Sequence, residues 1–199
     1  MTLIEMLMAI IIFTLGIAGF SLLFLKIWGI NSFVLEEGQS INITTQSLNE
    51  IIKDLRKVRQ GENSHYAIQS GNNFDLVVYL DEDNDAIVER VHYFLDQAQN
   101  QLKKGVTKPS GSPMLYPAED EEIRVIANNI VNSQNQPIFY YYNKFYPIDS
   151  INNPLSVPII PTDVRLIKIH LFLNIKPQSA PENINIESFV ELRNLNENQ

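Results

Sequence analysis

The chain has 199 residues, 45% of them hydrophobic, no cysteine, and a formal net charge of -8. That length fits one ordinary domain, or a small domain with an extension. The lack of cysteine excludes disulfides, thiolate metal sites and cysteine nucleophiles, and 23 acidic against 15 basic side chains argue against non-specific nucleic-acid binding.

The averages hide a polarised chain. Residues 1–60 set Lys26, Lys53, Arg56, Lys57 and Arg59 against Glu5, Glu36, Glu37, Glu50 and Asp54, and balance to zero. Residues 61–199 therefore carry all of the -8, and all ten prolines as well.

Residues 6–25 read MLMAIIIFTLGIAGFSLLFL, with no charge and only Thr14 and Ser21 as hydroxyls. As a helix, twenty such residues span about 30 Å, the thickness of a bilayer core. The apolar anchor is built from Met6, Leu7, Ile10, Ile11, Phe13, Leu15, Phe20 and Leu23, and Trp28 beside Lys26 suits the membrane–water boundary. Three ordinary readings compete: a cleaved signal peptide, a simple single-span anchor, or a buried helix of a soluble domain. A signal peptide wants a basic start and a small-residue exit, and no Lys or Arg precedes this core. The buried helix of a soluble domain is set aside because the run is apolar on every face.

Glu5 separates these readings. It stands alone at the start of the apolar run. An isolated carboxylate is expensive in lipid unless it is paired, and such residues are usually functional. One natural partner is a positive group at the same depth on a neighbouring subunit, such as an α-amino group. The helix dipole also favours an anion at this end.

Met1-Thr2-Leu3-Ile4-Glu5, followed by Met6-Leu7 and the apolar run, resembles the mature N-terminus of type IV pilins and type II secretion pseudopilins. The resemblance covers about the first 25 residues. It implies removal of a short leader by a prepilin peptidase and N-methylation of the new first residue. Met1 matches that position, where the family usually has Phe. It implies that Glu5 pairs with the N-terminal amine of an adjacent subunit during assembly. Many major pilins carry a helix-bending proline where this chain has Leu22.

From Ser40 the apolar positions Ile41, Leu48, Ile51, Ile52, Leu55 and Val58 repeat at three, four and seven, the period of an amphipathic helix. Gly61 is the expected stop. No proline interrupts residues 1–60, although Gly29 and Gly38 offer places to break. The expectation is one continuous helix of about 90 Å, set against an anchor, a linker and a separate helix. The stretch 48–57, ending Asp54-Leu55-Arg56-Lys57, also resembles PilW-like minor pilins and J-type minor pseudopilins.

The rest reads as strands. Residues 74–80 and 87–95 form a hairpin around the polar turn 81–86. Further strands are expected from Gln101 toward Val106, over 122–126, over 137–142, and over 164–175 paired with 188–193. Proline-rich connectors separate them. The expected fold is α+β: a long N-terminal helix, transmembrane in its first half, packed against a C-terminal antiparallel β-rich head, a pilin-like lollipop. Its parts are a transmembrane or filament-core helix over 1–30, a helical stem over 31–60, and the head over 61–199.

No catalytic pattern stands out. Asp81, Asp83 and Asp85 alternate as in a calcium loop, but an EF-hand needs glycine at Ala86 and glutamate at His92. A weak Ca²⁺ contribution is the most this spacing offers, and a solvated hairpin tip is the plainer reading. Glu119-Asp120-Glu121-Glu122 reads as a solvated patch. His65, His92 and His170 lack ligand spacing, and no phosphate loop occurs. The aromatics Phe139, Tyr140, Tyr141, Tyr142, Phe145 and Tyr146 read mainly as core.

The expectation is therefore a minor pilin or pseudopilin, a structural subunit of a type IV pilus or a type II secretion pseudopilus. It is not an enzyme and needs no cofactor or metal. Its partners are other pilin or pseudopilin subunits through the N-terminal helix, the prepilin peptidase, membrane lipid and, indirectly, the assembly platform and motor; no direct nucleic-acid binding is expected. It resides in the cytoplasmic membrane, single-pass with the head outside, and after assembly in a surface or periplasmic filament. The alternative is a single-span extracytoplasmic binding or adhesion module that does not polymerise. A membrane-tethered enzyme is the remote third class.

Overall fold

The computed structural model describes residues 2–174 and 183–192. Met1, the end of the expected 164–175 strand, the Pro177–Pro181 connector and Arg193 lie outside the described residues. The chain divides into two compact units, Met1–Gln39 and Ser40–Gln199.

Helix α1 (Leu3–Lys57) runs for 55 residues through Gly16, Gly19, Gly29 and Gly38 without a break. In the second unit its buried positions are Thr44, Ser47, Leu48, Ile51, Asp54 and Leu55. That three-and-four spacing places one helical stripe against the strands. The helix stops before Gly61, the expected signal. After Lys57 the backbone turns extended, and the Arg59 N–H donates to the Tyr79 carbonyl at 2.9 Å. Gly61 serves packing instead: a Cβ there would sit 3.1 Å from the Tyr79 ring.

The strands form two antiparallel sheets rather than one. The first contains β1 (Ile68–Gly71), β2 (Asp75–Leu80), β3 (Glu89–Asp96), β4 (Gln101–Thr107) and β5 (Glu122–Asn128), paired in chain order. The second is β6 (Phe139–Tyr142), β7 (Leu166–Leu173) and β8 (Ile184–Glu191), also in chain order. Each expected strand is present with shifted ends; β1 was not expected from sequence.

One core joins helix and sheets. Leu76, Val78 and Leu80 of β2 and Val91 and Tyr93 of β3 share it with Leu48, Ile51 and Leu55 of the helix. Along β7 the alternation is complete: Ile167, Ile169, Leu171 and Leu173 are buried, while Leu166, Lys168, His170 and Phe172 are partly open. Asn132 ties the connector after β5 to β7. Its amide donates to the carbonyls of Gln136 and His170 and its carbonyl accepts from the Phe172 N–H, each at 2.9 Å. It thereby satisfies backbone groups where no full strand runs. Tyr141 adds a second link, its hydroxyl donating to the Asn72 carbonyl at 2.9 Å. Gly71 leaves room for that ring, since a Cβ there would lie 2.7 Å from its hydroxyl.

The aromatic run splits by this geometry. Phe139, Tyr141 and Tyr142 are buried, Tyr140 is half-buried, and Phe145 and Tyr146 are exposed.

Candidate functional site

The first unit contains the apolar run, and its described side chains are almost all exposed. Met6, Leu7, Ile10, Ile11, Phe13, Leu15, Phe20, Leu23 and Trp28 each leave between 46% and 70% of their surface open. This segment is long and apolar enough to cross a membrane and buries nothing within the chain. By length and composition it is compatible with a single membrane span. The Thr14 hydroxyl donates to the Ile11 carbonyl of its own helix at 2.9 Å. A polar group satisfied inside the helix suits a hydrocarbon surrounding.

Glu5 lies in the first turn. Its Oε2 accepts the Thr2 backbone N–H at 2.7 Å. Thr2-Leu3-Ile4-Glu5 thus forms half of a capping box, in which the third residue of the helix reaches back to the capping position. The T-x-x-E spacing was readable in the sequence, but its pairing with Thr2 was not anticipated. One carboxylate oxygen is used locally, and Oε1 has no partner among the described residues. Met1, the expected processing position, lies outside them.

The second unit holds a buried charged seam between α1 and the first sheet. Lys104 of β4 is 1% exposed. Its Nζ donates to Asp54 Oδ2 at 2.7 Å, Glu82 Oε1 at 2.6 Å and Glu50 Oε1 at 3.2 Å. The buried Tyr93 hydroxyl donates to the same Asp54 oxygen at 2.5 Å. Arg124 of β5 pairs with Glu50 and Glu82. Burial alone would lower the Lys104 pKa, but the hydrogen bonds from Asp54 and Glu82 outweigh it and raise it above the usual lysine value. Burial first, and then the Asp54 charge, push the Tyr93 phenol well above its usual range. The seam fixes the helix by directional bonds where the core alone fixes it by area.

On the opposite face of the sheet, His92 sits between two carboxylates. Its Nδ1 is 2.7 Å from Asp120 Oδ2 and its Nε2 is 2.5 Å from Asp75 Oδ2. Arg90 also binds Asp120, at 3.2 Å, and the carbonyls of Pro117 and Ala118. Gly105, paired with His92 across β3 and β4, makes this possible: a Cβ there would overlap the Asp120 carboxylate. The reading of residues 119–122 as a uniformly solvated patch therefore fails at Asp120, which is nearly buried and doubly partnered. An open groove of about 540 Å³ lies over Asp75, Arg90, His92 and Asp120.

Burial by itself would lower the His92 pKa, but its bonds to Asp75 and Asp120 raise it above 6.5. A raised histidine pKa stabilises the fold fully below the unfolded value and ceases to do so as pH rises through the folded value. Stability against urea is therefore expected to fall as pH rises above the unfolded histidine value of about 6.5. His92→Gln should flatten that fall. An unchanged slope in the variant would remove His92 as its source.

The β2–β3 turn uses its acids as turn acceptors. Asp81 Oδ2 accepts the Ala86 N–H at 3.1 Å, Asp83 Oδ1 the Asp85 N–H at 3.1 Å, and Asp85 Oδ1 the Ile87 N–H at 2.8 Å. The carboxylate brought together with Asp81 and Asp83 is that of Glu89, which the alternating pattern did not include.

The fold is thus an N-terminal apolar helix whose later turns pack on an antiparallel β-rich head. That arrangement is compatible with a pilin-like architecture and is not unique to it. No protein-family model, curated protein or solved structure matches the chain.

Proposed function

We propose that the chain is a minor pilin or pseudopilin, a structural subunit of a type IV pilus or type II secretion pseudopilus without a catalytic cycle. The observation that carries this reading is α1 itself. One 55-residue helix begins with an exposed apolar segment whose only early charge is Glu5, and its last turns are buried in a β-rich head. In this reading the subunit waits in the cytoplasmic membrane, and packing of its apolar segment against sister helices offsets its extraction from lipid. Glu5 Oε1 receives the N-terminal amine of a neighbour. The head supplies subunit-specific contacts.

The test is isolation of native filaments followed by identification of their subunits by mass spectrometry. The expected result is this chain at low abundance relative to a major subunit, with a methylated N-terminus. Its presence in membranes but absence from filaments would overturn the proposal and favour a non-polymerising anchored module.

A further inference from the structure

Asp81, Asp83 and Glu89 each offer a carboxylate oxygen, all within 4.8 Å of one another. Glu89 opens β3 opposite Leu80, and its side chain is 1% exposed. Its Oε2 accepts the Glu82 N–H at 2.9 Å. Its Oε1 is buried and accepts no hydrogen bond. Asp81 Oδ1 is likewise buried without a donor. Orphaned carboxylate oxygens withdrawn from water are costly, and each asks for a cation or a proton.

Lys108, Arg59 and Lys57 are the cations that face this turn, Lys57 through a bond from its Nζ to Asn84 Oδ1 at 3.2 Å. Lys108 Nζ lies 2.8 Å from Asp83 Oδ2 but 3.9 Å from both Asp85 Oδ2 and Glu89 Oε1. The Glu89 oxygen thus looks toward a position among the acids that the ammonium does not fill at hydrogen-bonding distance. Lys108 is 57% exposed, free to swing into solvent. Arg59 reaches Asp81 Oδ2 at 3.4 Å from the other side. Four carboxylates against these three cations still leave the turn negative.

We propose that Asp81, Asp83 and Glu89 bind a calcium ion in the β2–β3 turn, and that Lys108 is the counter-ion it displaces. An all-oxygen donor set selects a hard cation. The adaptable shell of about six to eight oxygens that Ca²⁺ accepts suits three carboxylates on a turn better than the near-ideal octahedron that Mg²⁺ demands. Asp85 and water complete the shell. The bound ion would tie the turn to the first residue of β3, clamping the tip of the central hairpin.

The experiment is calorimetric titration of the full chain, in detergent micelles and stripped with chelator, first with CaCl₂ and then with MgCl₂. One saturable Ca²⁺ site per chain is expected, with Mg²⁺ at least about tenfold weaker. Asp83→Asn and Glu89→Gln should each weaken Ca²⁺ binding by about tenfold or more, and Lys108→Met should strengthen it several-fold. Asp83 and Lys108 are exposed, so their variants decide the matter even if Glu89→Gln unfolds. Absence of saturable binding would overturn the site. Binding that neither Asp83→Asn nor Lys108→Met alters would do the same, by moving the ion elsewhere. Equal affinity for Mg²⁺ would overturn the choice of calcium.

Discussion

Glu5→Ala is expected to leave the chain in the membrane with a folded head and to cut its incorporation into filaments by about tenfold or more. A carboxylate held at the centre of a membrane helix costs about 2.5–3.5 kcal/mol, and less near the helix end. A positive group on a neighbour recovers that energy only on docking, so the charge favours the assembled state over the dispersed one. The structure adds a complication: Glu5 also caps its own helix through the Thr2 N–H. Alanine removes both roles. Glu5→Gln separates them, because its side-chain carbonyl still accepts from Thr2 while the charge is gone. If docking depends on charge, Glu5→Gln should assemble as poorly as Glu5→Ala. Quantitative immunoblots of sheared filaments against whole membranes read the difference. Normal incorporation of Glu5→Gln would reduce Glu5 to a helix cap.

The second large effect is at Lys104. Lys104→Met is expected to cost the head about 3–5 kcal/mol, since it strands a buried carboxylate. That is a large part of the stability of an ordinary domain. Asp54 is 6% exposed and would retain only the Tyr93 hydroxyl. Glu50 and Glu82 are more open and keep Arg124. A triple variant, Lys104→Met with Asp54→Leu and Tyr93→Phe, should recover most of the loss, because apolar side chains of similar volume replace the desolvated ion pair and the phenol bound to it with little penalty. Urea denaturation of the full chain in micelles, followed by near-ultraviolet circular dichroism, measures both. A single variant that loses under about 1 kcal/mol would place the seam with ordinary surface ion pairs. The Lys104 pKa is raised. With its carboxylates ionised, the contribution of Lys104 is therefore complete below the unfolded lysine value, about 10.4, and ends as pH rises through the folded one.

Periodicity made the helix legible. Leu48, Ile51 and Leu55 announce its buried stripe, and Val164–Leu173 shows alternation dense enough to mark β7. The division into two sheets was not legible, because it depends on contacts between distant residues: the Ile130–Leu173 bridge and the Tyr141 bond to the Asn72 carbonyl. Strand β1, Ile68-Gln69-Ser70-Gly71, has too little apolar content to stand out. The buried charges were half legible. Lys104 shares parity with Leu102 and Val106, and Glu89 with Val91 and Tyr93, so strand alternation alone aims both inward. A charge in an inward register asks for a partner. Those partners, Asp54 on the helix for Lys104 and the Glu82 N–H and Lys108 for Glu89, are fixed by tertiary structure and could not be read from spacing.

The seam also has a mechanical meaning. Leu48, Ile51, Asp54 and Leu55 are buried on adjacent turns of the helix, and Glu50 and Asp54 share one ammonium. A pull along α1 would have to slide all of these contacts together by about one turn, 5.4 Å, before any could re-form. Contacts loaded in parallel resist shear far better than the same contacts broken one at a time. Lys104 would then act as a rivet on a tension member, and a variant without it should yield at lower force even at temperatures where its head is still folded.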